Sequence, residues 1–210
     1  MILSPKGNES AIQQLITLHN VSRETLEAFE LYIKLILKWN KAINLIAKST
    51  EQDIWQRHIA DSAQLIKFIP KTATVLDIGS GAGFPGVIIS LLQGNKVVLI
   101  EKNSKKCAFL HRIKATTNAN IEIKNETITE TTIKGIDIIT CRALTSLANI
   151  LELTERFKVK LVLLKGTGYK DEIIEAKAQN WQFNLKIEPS KTNKESAILI
   201  VDKIWGKLLQ

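Results

Sequence analysis

The sequence predicts an α/β fold, in which helices precede and cover a seven-stranded, mostly parallel sheet of the Rossmann-like kind. Three observations predict it. From residue 71 onward, short apolar runs alternate with helical patterns, which is typical of a parallel sheet. A glycine-rich turn directly follows the first run. The last two runs lack a long helix between them, so we expect them to form an antiparallel pair at one edge of the sheet.

Residues 1–70 are predicted to form an N-terminal helical cap on the Rossmann-like domain, residues 71–210. A short helix is expected over 11–16. Ser22 is a candidate N-cap for a second helix with apolar residues at helical spacing, and a third helix is expected to open at Ser49 and to end before Pro70. Because no long Gly/Ser linker follows, the cap should pack on the sheet rather than move freely.

The Rossmann-like part has seven predicted strands and four predicted helices. The strands are expected over 74–78, 96–101, 121–124, 136–140, 161–164, 184–188 and 197–201. One helix follows the glycine turn, and the others are expected over 104–117 with Ser104 as its cap, 147–157 and 171–179. Seven strands with a late hairpin are the layout of class I methyltransferases, whereas a dinucleotide-binding fold would continue to alternate.

The glycine turn reads Asp-Ile-Gly-Ser-Gly-Ala-Gly-Phe-Pro-Gly over Asp77–Gly86 and predicts a strand, a tight turn and a helix. Gly79, Gly81 and Gly83 lack a Cβ where the backbone must bend and where a ligand approaches the main chain. The next helix directs its partly positive N-terminus at this point. Dinucleotide enzymes use a similar turn for a pyrophosphate.

Two carboxylates favour S-adenosylmethionine as the ligand of this turn. Asp77 precedes the first glycine and suits a ligand with an amino group and a sulfonium better than an anion. Glu101 ends the next strand, about 20 positions beyond Gly79, where an acid binds ribose hydroxyls. S-adenosylmethionine has a ribose and a cationic centre but no phosphate. A dinucleotide and a turn without a ligand stay open at this point.

Composition points to a nucleic-acid partner. The 210 residues include 29 Lys and Arg against 21 Asp and Glu, which gives a formal net charge of +8 and a pI of about 9.4. This balance is typical of proteins that bind phosphate backbones. A chain rich in Lys, Ile and Asn can also owe part of its lysine content to genome composition.

Other sequence features predict a cytoplasmic protein without membrane contact. No uncharged apolar run reaches the roughly 18 residues that a membrane helix needs. The first residues lack the pattern of a signal peptide. Cys107 and Cys141 are too few and too far apart for a disulfide framework, which agrees with a reducing compartment.

Several motifs together carry a family resemblance. They are Trp39-Asn-Lys with Asn44-Leu45, Arg57-His-Ile-Ala-Asp-Ser62, the Asp77–Gly86 turn, Glu101 with Lys105-Lys106 and Phe109-Leu110, Arg142-Ala143, and Lys165-Gly166. From about residue 20 onward, the chain resembles the bacterial 16S rRNA guanine-N7 methyltransferase family RsmG, formerly glucose-inhibited division protein B (GidB). The Gly-Phe-Pro-Gly ending and Arg-His-x-x-Asp-Ser are specific to that family. The resemblance implies a monomeric class I methyltransferase that uses S-adenosylmethionine and modifies guanine 527 in a loop of 16S rRNA.

The cofactor contacts implied by the resemblance, together with the acid and glycines of the motif, are Gly79, Gly81, Phe84, Glu101, Ile128, Thr129 and Arg142. Phe84 is expected to wall the methionine side, the backbone of Ile128 to meet the adenine edge, and Arg142 to form a forked pair with a carboxylate. The chain departs from the family pattern at three positions, with Thr127 in place of Arg, Ile46 in place of Thr, and Thr129 where an acid is common.

The predicted substrate contacts are Lys165, His58 and Arg57. Lys165 ends a strand at the edge where open α/β sheets bind ligands, and we hypothesise that it contacts an RNA phosphate. The alternative is a solvated charge at the end of a strand. For His58, with Asp61 and Ser62, the alternative is a hydrogen-bond network that packs helices.

Three further residue types favour structural roles. Cys141 lies at a strand end where cytosine-C5 methyltransferases carry a nucleophile, but no proline precedes it, so we interpret it as a packing residue. Cys107 and His111 are too few ligands for a metal site, and no metal is expected. Trp39 and Trp55 have the helical spacing of core residues rather than of base-stacking platforms.

Methylation of guanine at N7 needs no general acid or base, so the sequence assigns no catalytic residue. N7 carries an in-plane lone pair and no proton, so the transfer needs positioning rather than a general base. In A-form RNA, N7 of a paired guanine faces a deep, narrow groove that side chains do not enter, so we expect the target to be an unpaired guanine in a loop. The substrate could be naked 16S rRNA or a 30S particle. Two other functions stay open: a methyltransferase of small molecules or proteins, and a non-catalytic assembly factor that binds S-adenosylmethionine.

Overall fold

The computed structural model describes residue 12, residues 15–17 and residues 21–207. Of the helix predicted over 11–16, residues 12, 15 and 16 are helical, and residues 11, 13 and 14 lie outside the described ranges. Within the described ranges, no helix combines the length and the apolar character that crossing a bilayer requires.

The first long helix, α1 (Arg23–Trp39), begins where the sequence predicts. The Ser22 side chain accepts a hydrogen bond from the Thr25 amide at 3.3 Å and so caps the helix. One face is buried, through Phe29, Tyr32, Ile33 and Ile36. This apolar stripe at helical spacing docks α1 against the sheet domain.

The second helical region differs from the prediction in where it starts. Ser49 lies in a short 3₁₀ helix, Lys48–Thr50, and the main helical run starts only at Trp55. Asn40 explains the delay, because its side-chain amide donates to the Glu51 carboxylate at 2.6 Å and to the Ile46 carbonyl, which holds this stretch against the end of α1. The run that follows, here called the mixed helix, is a π-helix over Trp55–Ala60, an α-helix over Asp61–Ala63 and a 3₁₀ helix over Gln64–Phe68.

The sheet has the seven predicted strands with adjusted ends. They are β1 (Val75–Ile78), β2 (Val97–Ile100), β3 (Ile121–Lys124), β4 (Ile138–Arg142), β5 (Lys160–Lys165), β6 (Trp181–Pro189) and β7 (Ala197–Lys207). β4 starts later than predicted, because the Asp137 carboxylate accepts from the Thr74 amide at 2.7 Å. β6 is longer than predicted, because exposed polar residues at its ends interrupt the apolar pattern that predicts a strand.

The connecting helices are α2 (Gly86–Gln93), α3 (Ser104–Thr116), α4 (Leu147–Thr154) and α5 (Tyr169–Ala178). The predicted cap of α3, Ser104, is wrong by one residue. The Asn103 side chain accepts from the amides of Lys105 and Lys106, so Asn103 is the cap. The helix predicted over 147–157 ends at Thr154 and continues as a 3₁₀ turn over Glu155–Phe157.

The strand order β3-β2-β1-β4-β5-β7-β6 confirms the predicted class I methyltransferase layout. β1 to β5 are parallel, and β7 is antiparallel to both β5 and β6. The order reverses at β1, between β2 and β4, so ligand sites are expected at the carboxyl end of β1.

Two apolar clusters cover the two faces of the sheet. One joins residues of α1, the mixed helix, α2 and α3 to the sheet, and includes Phe29, Ile59, Val75 and Phe109. The other joins α4 and α5 to the opposite face. The N-terminal helices therefore share a core with the sheet, although the division at residue 70 stays a prediction.

Candidate functional site

The glycine turn connects β1 to α2 at the carboxyl edge of the sheet. Gly79, Gly81 and Gly83 have φ values of +67°, +57° and +97°, which a residue with a Cβ rarely adopts. A Cβ at Gly83 would lie 2.6 Å from the Val87 side chain. A Cβ at Gly81 would meet only the Gly79 carbonyl at 3.8 Å, so the space above this backbone is open and fits a ligand.

Asp77 lies beneath the turn and not within the open space. Its side chain is fully buried, and its Oδ2 accepts from the Gly86 amide at 3.1 Å. Burial raises the pKa of Asp77 to about 7, which the bond from Gly86 partly offsets. The bond from Gly86 ties β1 to the start of α2, and the expected contact of Asp77 with a cationic ligand stays a prediction.

Glu101 lies beside the turn, just after β2. Its Oε2 accepts from the Gly81 amide at 2.9 Å and its Oε1 from the Asn103 amide at 2.8 Å. One carboxylate therefore orders both the glycine turn and the N-terminus of α3. The predicted ribose contact fits this place at the mouth of the turn and stays a prediction.

Phe84 is the centre of a cluster that joins the turn to the helical cap. Its ring lies 5.1 Å from the His58 ring and 5.3 Å from the Tyr32 ring, between centroids, and the Arg142 guanidinium carbon lies 4.9 Å from its centroid. Tyr32, at zero exposure, donates from its hydroxyl to the Ala82 carbonyl of the turn. The helical cap therefore supports one side of the glycine turn.

Arg142 and His58 are directly hydrogen-bonded. Arg142 also donates to the Arg57 carbonyl at 3.1 Å and lies 3.8 Å from the nearer Asp61 oxygen. Because a guanidinium only donates, His58 Nδ1 must be the acceptor, and Nε2–H donates to the Thr50 hydroxyl at 2.8 Å. The predicted forked pair of Arg142 with a cofactor carboxylate stays a prediction, since its present partners belong to the chain.

The electrostatics of this cluster keep His58 neutral. Burial, then the charges of Arg142 and Arg57, lower the His58 pKa to about 3. Burial also lowers the pKa of Arg142. With both ring nitrogens engaged and a neutral ring near pH 7, His58 positions Arg142 rather than acting as a base.

The π-helical turn explains how Arg57 and His58 reach this cluster. Both lie in the π segment of the mixed helix, whose wider turn is frequent at functional sites. His58 is buried at 7% exposure, whereas Arg57 is exposed. The packing alternative for His58 is thus partly correct, because the ring is both buried and part of the site.

Ile128 and Thr129 lie in the loop after β3, as the sequence predicts. The side chain of Ile128 is buried in the apolar cluster under α4, and its carbonyl accepts from Arg156. Thr129 is exposed and shares a 2.8 Å hydrogen bond with the Thr127 hydroxyl, which in turn donates to Glu130 at 2.7 Å. Hydrogen bonds between its own side chains therefore stabilise this loop. The contact of Ile128 and Thr129 with adenine stays a prediction.

A cavity of about 280 Å³ opens beside the cluster. It brings together all three predicted substrate residues, Arg57, His58 and Lys165, with Arg142. Lys165 is buried, with its side chain 5% exposed, and its ammonium donates to the Thr145 carbonyl and to Glu172, both at 2.6 Å. The alternative of a solvated charge at Lys165 is therefore wrong.

The structural roles that the sequence predicts for Cys141 and for the two tryptophans agree with the structure. Burial raises the pKa of Cys141 to about 12, so its thiol is not a nucleophile. Trp55 is buried and packs edge-on against Phe29, and Trp39 packs against Phe109. Among the described residues, no group of three or more His, Cys, Asp and Glu side chains forms a metal-binding arrangement.

Sequence reasoning missed three residues of the site. Tyr32 belongs to the buried stripe of α1, and only the fold shows that its hydroxyl reaches the turn. Leu144 covers Gly79, because a Cβ there would lie 2.5 Å from its Cδ1. Glu172 lies seven positions after Lys165, in the first turn of α5, and the only signal in the sequence was an acid near a lysine at a strand end.

Comparison with known proteins decides the family. The family model described as rRNA small subunit methyltransferase G, GidB, matches residues 25–198. The chain belongs to the GidB family. It is 45% identical to ribosomal RNA small subunit methyltransferase G of Orientia tsutsugamushi (strain Ikeda), over 86% of this chain and 92% of the relative. It is 43% identical to the protein of the same name from Rickettsia akari (strain Hartford), over 88% and 97% of the two chains.

Solved structures extend the similarity of fold beyond the GidB family. A mutant of MtNAS in complex with S-adenosylmethionine matches 93% of this chain and 83% of its own, with a TM-score of 0.57 and 15% identity. The Pyrococcus abyssi tRNA (uracil-54, C5)-methyltransferase in complex with S-adenosyl-L-homocysteine matches 75% and 40%, with a TM-score of 0.54 and 14% identity. The predictions of the family, of the class I fold and of S-adenosylmethionine as cofactor are confirmed.

Proposed function

We propose that this GidB-family protein transfers a methyl group from S-adenosylmethionine to N7 of a guanine in 16S rRNA, the guanine at position 527. The observation that carries the proposal is the cavity beside the glycine turn. Arg142 and His58 line it and also contact Phe84 of the turn, so the cofactor side and the substrate side share one wall.

The cofactor side is proposed to consist of the predicted residues. Gly79 and Gly81 give close backbone approach, Glu101 faces the ribose and Phe84 lies under the methionine side. Ile128 and Thr129 are proposed for the adenine, and Arg142 for a carboxylate. S-adenosylmethionine, when bound, supplies a sulfonium methyl group, whose C–S bond breaks as the N7 lone pair forms the new C–N bond.

The residues of the cavity support a transfer that needs no general base. N7 loses no proton, and the His58 ring is neutral with both nitrogens hydrogen-bonded. What the chain contributes is placement of the base against the methyl group, which can lower the barrier by about 7–11 kcal/mol. Arg57, His58 and Lys165 are proposed to contact the RNA in this cavity.

We further propose that the protein acts as a monomer in the cytoplasm, on a loop guanine presented by 16S rRNA within the 30S subunit or an assembly intermediate. The net charge of +8 supports an RNA partner. An unpaired guanine is proposed because the N7 edge of a paired one lies in a groove that side chains do not enter.

The test is methyl transfer from labelled S-adenosylmethionine to 30S particles from a strain that lacks the gene, followed by mapping of N7-methylguanine. We expect one labelled guanine, and no label with Gly79→Arg. If S-adenosylmethionine binds but no rRNA is labelled, the proposal is wrong, and a small-molecule or protein methyltransferase or a non-catalytic assembly factor replaces it.

A further inference from the structure

The ion pair between Lys165 and Glu172 faces the cavity with unused hydrogen-bonding capacity. Lys165 uses two of its three N–H donors, on the Thr145 carbonyl and on Glu172 Oε2. Within the described residues, Glu172 Oε1 has no hydrogen-bond partner, and the Glu172 side chain is 26% exposed. The pair therefore presents one donor next to one acceptor.

A phosphate is a poor match for this arrangement. At 2.6 Å from the Lys165 ammonium, the Glu172 carboxylate already neutralises its charge. A phosphate would have to displace that carboxylate or lie against it, with repulsion between like charges. The hypothesis of a phosphate contact for Lys165 therefore gives way to a neutral, directional partner.

The Watson–Crick edge of guanine has the complementary pattern. O6 is an acceptor, and the neighbouring N1–H and N2–H are donors. We propose that Lys165 and Glu172 read this edge, Lys165 donating to O6 and Glu172 Oε1 accepting from N1–H and N2–H. This inference rests on the proposed function and assigns the base selectivity of the same cavity.

The other carboxylate in the cavity is already occupied. Asp61 Oδ1 accepts from the Thr192 hydroxyl at 2.5 Å and from Gln64 at 3.2 Å, and Oδ2 lies 3.8 Å from Arg142. Glu172 is thus the better acceptor for a base. Its carboxylate also favours methylation, because positive charge develops on the purine as N7 is alkylated and strengthens the bond from N1–H.

Adenine would be rejected by the same pair. Its amino group would direct a donor at Lys165, and its unprotonated N1 would direct a lone pair at Glu172. When a site has buried polar groups that hydrogen-bond its ligand, it strongly disfavours a ligand that leaves those groups unpaired. The pair would therefore let the cavity distinguish guanine from adenine.

The experiment compares target bases in reconstituted 30S particles that carry guanine, inosine or 2-aminopurine at the target position. All three keep N7, but 2-aminopurine lacks both O6 and N1–H. For the wild-type protein, we expect 2-aminopurine to lower kcat/KM for methyl transfer by at least about 10-fold, and inosine by less, because only N2–H is lost. Equal rates for all three bases would overturn the inference without any variant.

Glu172→Gln gives the second arm, since it keeps the size of the side chain. We expect its selectivity for guanine over 2-aminopurine to fall at least about fivefold, with an unchanged Kd for S-adenosylmethionine. If Glu172 had a purely structural role, the substitution would lower the rates with guanine and with 2-aminopurine equally. An unchanged ratio of the two rates would therefore overturn the inference. The matched control is Glu175→Gln, on the exposed side of α5. Among the described residues, the Glu175 side chain is hydrogen-bonded only to Gln179. The selectivity of this variant for guanine over 2-aminopurine should not change.

The failure of the proposed function has a different signature. If the wild-type protein labels no guanine in these particles, the proposed function and this inference both fall. If it labels guanine normally and Glu172→Gln keeps its base selectivity, only the inference falls.

Discussion

At the scale of single residues, Gly79 and His58 carry the sharpest consequences. Gly79 has a positive φ and lies directly under Leu144, so both backbone strain and steric contact exclude a side chain. His58 is buried beside a cation and stays neutral. The first residue leaves no room for a side chain between the glycine turn and Leu144, and the second supports Arg142 without taking part in proton transfer.

We predict that Gly79→Ala weakens binding of S-adenosylmethionine at least about 10-fold. The new Cβ would lie 2.5 Å from Leu144 Cδ1, which must move into the open space over the turn. Gly135→Ala is the control, because Gly135 has a similar φ of +70° but no atom within 4 Å of the added Cβ. Both variants should lose about 1–3 kcal/mol of stability from backbone strain. Calorimetric titration showing equal affinity in both variants would contradict the role of Gly79.

His58 predicts a pH dependence of stability with a definite sign. Its pKa is about 3 in the native state and about 6.5 when unfolded, so between these values only the unfolded chain binds the proton. Stability is then intact above pH 6.5 and is lost as the pH falls toward 3. We expect the wild type to lose about 2 kcal/mol from pH 8 to pH 5 relative to His58→Gln, in denaturant titrations. Parallel curves for the two proteins would show that His58 is not buried in the neutral form.

At the scale of elements, α1 is tied to the glycine turn through Tyr32. Its hydroxyl bonds to the Ala82 carbonyl, and its ring packs against Phe84 and Phe109. We predict that Tyr32→Phe weakens S-adenosylmethionine binding about three- to tenfold and lowers stability by about 1 kcal/mol, because the turn loses one support.

Tyr169→Phe is the control for Tyr32→Phe, since no hydrogen bond of its hydroxyl is present among the described residues. Thermal melts and binding titrations of the two variants measure the difference. If Tyr32→Phe binds S-adenosylmethionine like the wild type, support of the glycine turn by the helical cap does not contribute to cofactor binding.

The elements also show what sequence can predict. β1, the turn and Glu101 lie within a short stretch with its own spacing rules, so local chemistry was sufficient to place them. The π-helical turn that carries Arg57 and His58 has no such signal, because its wider spacing arises from tertiary packing. The pairing of Lys165 with Glu172 depends on how α5 packs after β5, and the role of Asp77 beneath the turn depends on its burial.

At the scale of the whole molecule, the net charge of +8 predicts salt-dependent activity. If three or more phosphates are contacted, kcat/KM on 30S particles should fall at least about 10-fold between about 50 and 200 mM salt, because condensed counterions are released on binding. The Kd for S-adenosylmethionine, measured in the same buffers, is the control and should change less than about twofold. Activity independent of salt would contradict an RNA substrate bound through its backbone.

The role of guanine N7 as the nucleophile is tested by replacing the target guanine with 7-deazaguanine in reconstituted 30S particles. This base keeps the Watson–Crick edge but has a C–H in place of N7. We predict that the particles still compete with normal 30S for the enzyme but accept no methyl group from labelled S-adenosylmethionine. Transfer to the substituted position at the normal rate would show that N7 is not the nucleophile.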